Sequence, residues 1–185
     1  MKYLTLIAIL LVTACASSVP QLKHYLLRSD ALSQFAAEEP GSITGIGAIV
    51  VASYIDGLGI VLETAEGEVQ EARNHQWAEP LRDSLRIFLA REISAASGQI
   101  IRFQTNREAD WQQRIDVRID ELHGTVNGEA SLVAYWTVSD LAGGAMISDN
   151  GFSDTGDLSR DGYEALVQAH KKLLRRLAAA IAATL

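Results

Sequence analysis

At 185 residues with a single cysteine, the chain is the size of one domain. It has no partner for an intrachain disulfide, so its core alone must hold it together. A formal net charge of −7 without a broad basic stripe excludes a nucleic-acid-binding role, and no apolar segment after Val12 approaches bilayer-spanning length.

The N-terminal MKYLTLIAILLVTACASS places one cation, Lys2, before an uncharged apolar stretch from Tyr3 to Val12. That stretch is too short to span a membrane but suits the apolar region of a secretory signal peptide, read here as residues 1–14. Leu11-Val12-Thr13-Ala14-Cys15 resembles a bacterial lipobox. The likeness implies cleavage before Cys15 and its modification by diacylglycerol and further acyl chains, palmitate among them. Several acyl chains on one residue exceed the single chain that binds membranes only marginally, so Cys15 is expected to be a stable anchor. Loss of residues 1–14 removes Lys2 and no acid, taking the charge from −7 to −8. Ala16 stands where aspartate would resemble an inner-membrane retention signal, which favours the outer membrane. Residues 15–21 form the lipidated tether, whose Ala16–Gln21 part spans about 20 Å at most, and residues 22–185 form the domain.

HYLLRSD, from His24, predicts a first short strand, and residues 31–41 an irregular connection. Ile43 to Ile55 (ITGIGAIVVASYI) reads as a central strand, apolar on both faces. Val61–Glu63 and Val69–Arg73 flank Glu66-Gly67, a hairpin signal. In NHQWAEPLRDSL, Pro80 suits a first helical turn and Glu79 and Asp83 suit the positive end of a helix dipole. Leu81, Leu85, Phe88, Leu89 and Ile93 then recur at helical spacing up to the stop at Gly98, giving an amphipathic helix over residues 79–97. A short strand over Ile100–Phe103 follows, and strand, helix and strand in this order suggest a crossover unit.

Arg114 to Leu122 alternates Ile115, Val117 and Ile119 with Arg114, Asp116, Arg118 and Asp120, the pattern of a half-solvated strand. Asn127-Gly128 turns the chain into Ser131–Ser139, another strand apolar on both sides. Gly143-Gly144 turns it again into Ala145–Phe152. The acidic run from Asp149 to Asp157 lacks the alternating oxygen ligands of a calcium loop and reads as a turn. Leu166, Val167, His170, Leu173, Leu174, Leu177 and Ile181 mark a final helix from Tyr163 to about Ala183. The fold class is therefore α/β: a single-domain layered fold with a mixed β-sheet and two long amphipathic helices.

Three segments together resemble one family. HYLL shortly after the lipobox cysteine, HQWAEPL before the first helix, and the ending DGYEALVQAHKKLLRRLAAAIA are similar to ABC-type transport auxiliary lipoproteins, the PqiC/YmbA group. Tyr135-Trp136-Thr137-Val138 matches the tryptophan in a late strand of that family. The chain departs from it at Val51-Ala52-Ser53-Tyr54-Ile55, where family members often carry a proline. The resemblance implies a non-enzymatic accessory component of an ABC/MCE-type intermembrane lipid transport system, anchored in the outer membrane and facing the periplasm. Its implied partners are an MCE-domain protein and an ABC transporter permease; homo-oligomerisation stays open. The alternative reading is a periplasm-facing lipoprotein that holds a small hydrophobic ligand in an apolar groove.

Candidate partner-binding residues are Tyr25, Leu26 and Leu27, and Trp77, Glu79 and Pro80. The competing reading of Trp77 to Pro80 is a structural latch at the helix start; that of Tyr25 to Leu27 is an ordinary sheet edge. His24, His75, His123 and His170 have no metal-ligand spacing, and His170 is expected to be a hydrogen-bonded core residue. Asp116 and Asp120 belong to a solvated strand face rather than an acid–base pair, and Gly45-Ile46-Gly47 lacks the rest of a dinucleotide fingerprint. Lys171, Lys172, Arg175 and Arg176 form a basic patch on the last helix, either solvated or facing anionic headgroups or an acidic partner. Neither a cofactor nor catalytic residues are expected.

Overall fold

The computed structural model describes residues 20–31, 43–103 and 110–185. The expected signal peptide, Cys15, most of the expected tether and nearly all of the 31–41 connection lie outside them. The strands are β1 (Lys23–Tyr25), β2 (Thr44–Val51), β3 (Gly59–Ala65), β4 (Glu68–Trp77), β5 (Ile101–Arg102), β6 (Gln113–Gly124), β7 (Glu129–Asp140) and β8 (Met146–Asp157). The helices are α1 (Leu81–Ser97) and α2 (Tyr163–Ala182), with a short 3₁₀ turn at Ser53–Ile55.

All eight strands join one mixed sheet. β6 pairs antiparallel with β7 along one side, and β7 with the edge strand β8. On its other side β6 runs parallel first to β2 and then, at Gly124, to β3. β3 and β4 form the expected hairpin, with Gly67 at φ 73° in the turn where a side chain would be strained. The strand–helix–strand segment is not a parallel crossover. β5 pairs with β2, and the chain of pairings makes it antiparallel to β4.

Both helices bury their apolar stripes against one face of the sheet. From α1, Leu81, Leu85, Phe88, Leu89 and Ile93 are buried, and from α2 every residue of the predicted stripe. They meet Ile46, Ile115, Val117, Ile119, Leu132 and Trp136 in a single core. α1 starts two residues later than its pattern suggests. Pro80 (ψ 129°) stands just before it, and its carbonyl accepts from Asp83 and Ser84 at 3.1 and 3.2 Å. Gly98 ends the helix in the left-handed region, donating to Ser94 O at 3.0 Å.

The opposite face of the sheet is open. In β6, Arg114 pairs with Asp116 and Arg118 with Asp120 along the strand, so the solvated reading of those aspartates holds. β2 is buried on both sides over Thr44, Gly45, Ile46 and Gly47 and on one side only beyond, where Ala48 and Val50 are exposed. β7 turns Tyr135 outward, and Arg118 lies over its ring at 4.8 Å. The acidic run read as a turn is instead strand, Asp149 to Asp157 being most of β8. β7 offers it a continuous ladder from Ser139 to Glu129, which outweighs the low strand preference of Asp, Asn and Gly. Its aspartates also make this edge a poor template for another chain.

Trp111 lies across β2. A Cβ on Gly45 would meet its indole at 2.2 Å, so only glycine lets the ring lie flat there. Gly45→Ala is expected to cost about 1–3 kcal/mol in urea unfolding, the scale of an overpacked site.

Candidate functional site

The two candidate segments, fifty positions apart in sequence, are neighbours in space. β1 runs parallel to β4 with Lys23 opposite His75, His24 opposite Gln76 and Tyr25 opposite Trp77. Ala78 N donates to Tyr25 O at 2.9 Å, and the Arg28 guanidinium pairs with the Glu79 carboxylate. Tyr25–Leu27 and Trp77–Pro80 therefore form one seam.

Within the seam the residues divide. Leu27 and Trp77 are core, Trp77 being 4% exposed with its ring 6.3 Å from that of His170. The indole holds the end of β4 against α2, as a structural latch would. Leu26 is 51% exposed, Pro80 is exposed, and Tyr25 and Glu79 are half-buried. Glu79 does not cap α1. Its carboxylate accepts from Arg28 and from Ser84 Oγ at 3.2 Å, and the Arg28 bond holds its pKa below the ordinary value. More than a third of each side chain remains in water, which screens the pair, so Arg28→Ala is expected to change the melting temperature by no more than a few degrees.

Residues not singled out in the sequence complete the surroundings. The Tyr25 hydroxyl is 2.8 Å from His75 Nδ1, and the His75 ring stacks on Tyr163 at 4.0 Å. Burial, then the neighbouring Lys23, lowers the His75 pKa; burial raises those of Tyr25 and Tyr163. This stack ties the sheet edge to the start of α2. Beside it opens a cleft of about 820 Å³ between β1 and the first turns of α2, with Lys23, His24, Arg160, Asp161, Glu164 and Lys171 among its lining. The cleft is polar, unlike an apolar groove.

A second cluster lies deeper. Tyr54 OH contacts His123 Nδ1 at 2.9 Å and donates to Asp120 O at 3.2 Å, and burial pushes its pKa up to about 12. His170 is wholly buried; neither ring nitrogen makes a hydrogen bond of full geometry, and its nearest polar neighbour is the His123 backbone, a weaker tie than the expected hydrogen-bonded core residue. Burial takes its pKa down to about 4, the His123 backbone opposing part of the shift. Among the described residues no three His, Cys, Asp or Glu side chains group as metal ligands.

The basic patch on α2 is largely paired. Arg175 bonds Asp30 at 2.9 Å and Glu92 at 3.3 Å, and Arg176 bonds Asp154 at 2.5 Å. Lys171 and Lys172 take no part in an ion pair among the described residues.

The family model of the ABC-type transport auxiliary lipoprotein component matches residues 25–182, from the seam through α2. The chain belongs to this family. This auxiliary lipoprotein is thus a transport component rather than an enzyme. It is similar to the intermembrane transport lipoprotein PqiC of Escherichia coli K12, 26% identical over 183 residues that cover 98% of this chain and 95% of the relative. The PqiC of Shigella flexneri matches at the same identity and coverage. Its fold is shared with a crystal structure of an uncharacterized protein at TM-score 0.74 and 21% identity, covering 88% of this chain and 97% of the other. Protein XCC0632 of Xanthomonas campestris follows at TM-score 0.69 and 14% identity, over 86% and 92% of the two chains.

Proposed function

We propose that this auxiliary lipoprotein serves an ABC/MCE-type system moving lipid between the membranes of a bacterial envelope. In this reading it is anchored through Cys15 in the outer membrane and faces the periplasm. The carrying observation is the family match across nearly the whole described domain, joined by full-length likeness to proteins named for intermembrane transport. The lipobox-like Leu11–Cys15 and the following Ala16 support the anchor and its membrane. The six candidate residues act in two ways. Leu27 and Trp77 hold the seam, with Tyr25 tied to His75, while exposed Leu26 and Pro80 and half-buried Glu79 are the surface it presents to an MCE-domain protein or permease. Ligand carriage in an apolar groove is the weaker reading, because the cleft beside the seam is lined by charged groups.

The experiment follows pulse-labelled phospholipid between separated inner and outer membranes, in cells with and without the chain. Deletion should slow exchange, and Cys15→Ala produced at matched level should fail to restore it. Exchange unchanged by the deletion would contradict the transport role, and full rescue by Cys15→Ala would contradict the need for an anchor.

A further inference from the structure

The expected anchor at Cys15 limits how far the start of the domain can stand from the membrane. Eight residue steps separate Cys15 from Lys23, where β1 begins, so even fully extended they reach about 28 Å. The start of β1 can therefore lie no farther than this from the bilayer, a limit that no other part of the domain is under. Among the described residues β1 pairs only with β4, and no other described strand lies along its second edge. Strand alternation puts Leu22, His24 and Leu26 on one side of this edge, and the two leucines are 52% and 51% exposed. Lys23 alternates with them, in register with His75, and together with His24 and Leu26 it lines the cleft that Lys171 borders. Neither lysine is ion-paired among the described residues, whereas Arg160 in that cleft is held by Glu164 at 2.6 Å. Asp161 is the remaining acid in the lining.

A chain of charge −8 without its signal peptide is repelled by an anionic surface unless it turns a cationic, apolar part towards it. The edge nearest the tether is such a part. We propose that the β1 edge rests on the anionic phospholipid surface to which the chain is tethered, Leu22 and Leu26 entering the interface and Lys23 and Lys171 meeting the headgroups. This rests on the Cys15 anchor of the proposed function. It orients the domain edge-on, so that Glu79 and Pro80 sit close to the membrane plane.

The test places the acylated protein in nanodiscs of phosphatidylcholine alone or with phosphatidylglycerol, and follows amide exchange of residues 22–27 and 162–171. Exchange should slow about tenfold with phosphatidylglycerol. Lys23→Glu with Lys171→Glu should abolish that difference, and Leu22→Ser with Leu26→Ser should reduce protection in both lipids. Equal exchange in the two lipids would overturn the proposal and leave the lysines to an acidic protein partner. Intact mass reports the anchor separately. A chain without acyl mass at Cys15 refutes the anchor, and its sedimentation with phosphatidylglycerol vesicles then decides the surface: binding upholds it and no binding overturns it.

Discussion

Trp77→Ala should destabilise the protein by about 3–5 kcal/mol, the cost of removing a buried aromatic from a core that relaxes only in part. The indole is almost wholly buried at the last residue of β4, opposite Tyr25 of β1 and beside His170 of α2. Its loss leaves a void where a sheet edge and a helix meet, and three elements slacken together. For a domain of this size the melting temperature should fall by about 10 °C. Pro80→Ala, a few residues on, changes an exposed side chain and should leave the melting temperature within a degree or two of the parent. Differential scanning calorimetry of the two variants separates them. A stable Trp77→Ala protein would mean that the indole is not the latch described.

Stability should also fall on acidification through a single core residue. His170 titrates near 4 in the folded protein and near 6.5 when unfolded, so the folded state binds fewer protons between those values. Its depressed pKa leaves stability undiminished above about pH 6.5. As pH falls towards 4 the unfolded chain takes up the proton first, and roughly 3 kcal/mol is lost over that window. His170→Leu removes a buried imidazole whose nitrogens make no hydrogen bond of full geometry, only a weak approach to the His123 backbone. It should therefore raise stability at pH 7 by about 1–3 kcal/mol and flatten the acid arm of a urea-unfolding series from pH 7 to 4. An acid arm as steep as the parent's would show that other groups, such as the Glu79 carboxylate paired with Arg28, govern the acid response.

Much of this fold is written in periodicities. The stripe from Leu166 to Ile181 gave α2 its extent, and the alternation of Ile115, Val117 and Ile119 gave β6 its buried face. What escaped depends on partners distant in sequence. β8 is rich in Asp, Asn, Gly and Ser, residues that signal turns, and is a strand because β7 lies alongside. The end of β4 escaped for the same reason. Asn74-His75-Gln76 has no strand signature, and β1 supplies the ladder that extends it. The candidate segments were recognisable as motifs, but a parallel pairing of Tyr25 with Trp77 leaves no local trace, nor does the stacking of His75 on Tyr163. The burial of His170 followed from its place on the apolar stripe. The weakness of its hydrogen bonding did not, because that depends on what the sheet presents to the helix.

The most direct measurement is capture of the full-length, acylated protein from gently solubilised envelopes, with co-purifying proteins identified by mass spectrometry. Alongside it run Cys15→Ala and a Glu79→Lys, Pro80→Ser double variant, all at matched expression. The account predicts an MCE-domain protein or ABC permease in the parent sample, depleted in both variants while the double variant keeps the parent's melting temperature. Capture of neither partner by the parent would contradict the transport assignment, and undiminished capture by the double variant would contradict the placing of the contact at the exposed end of the seam.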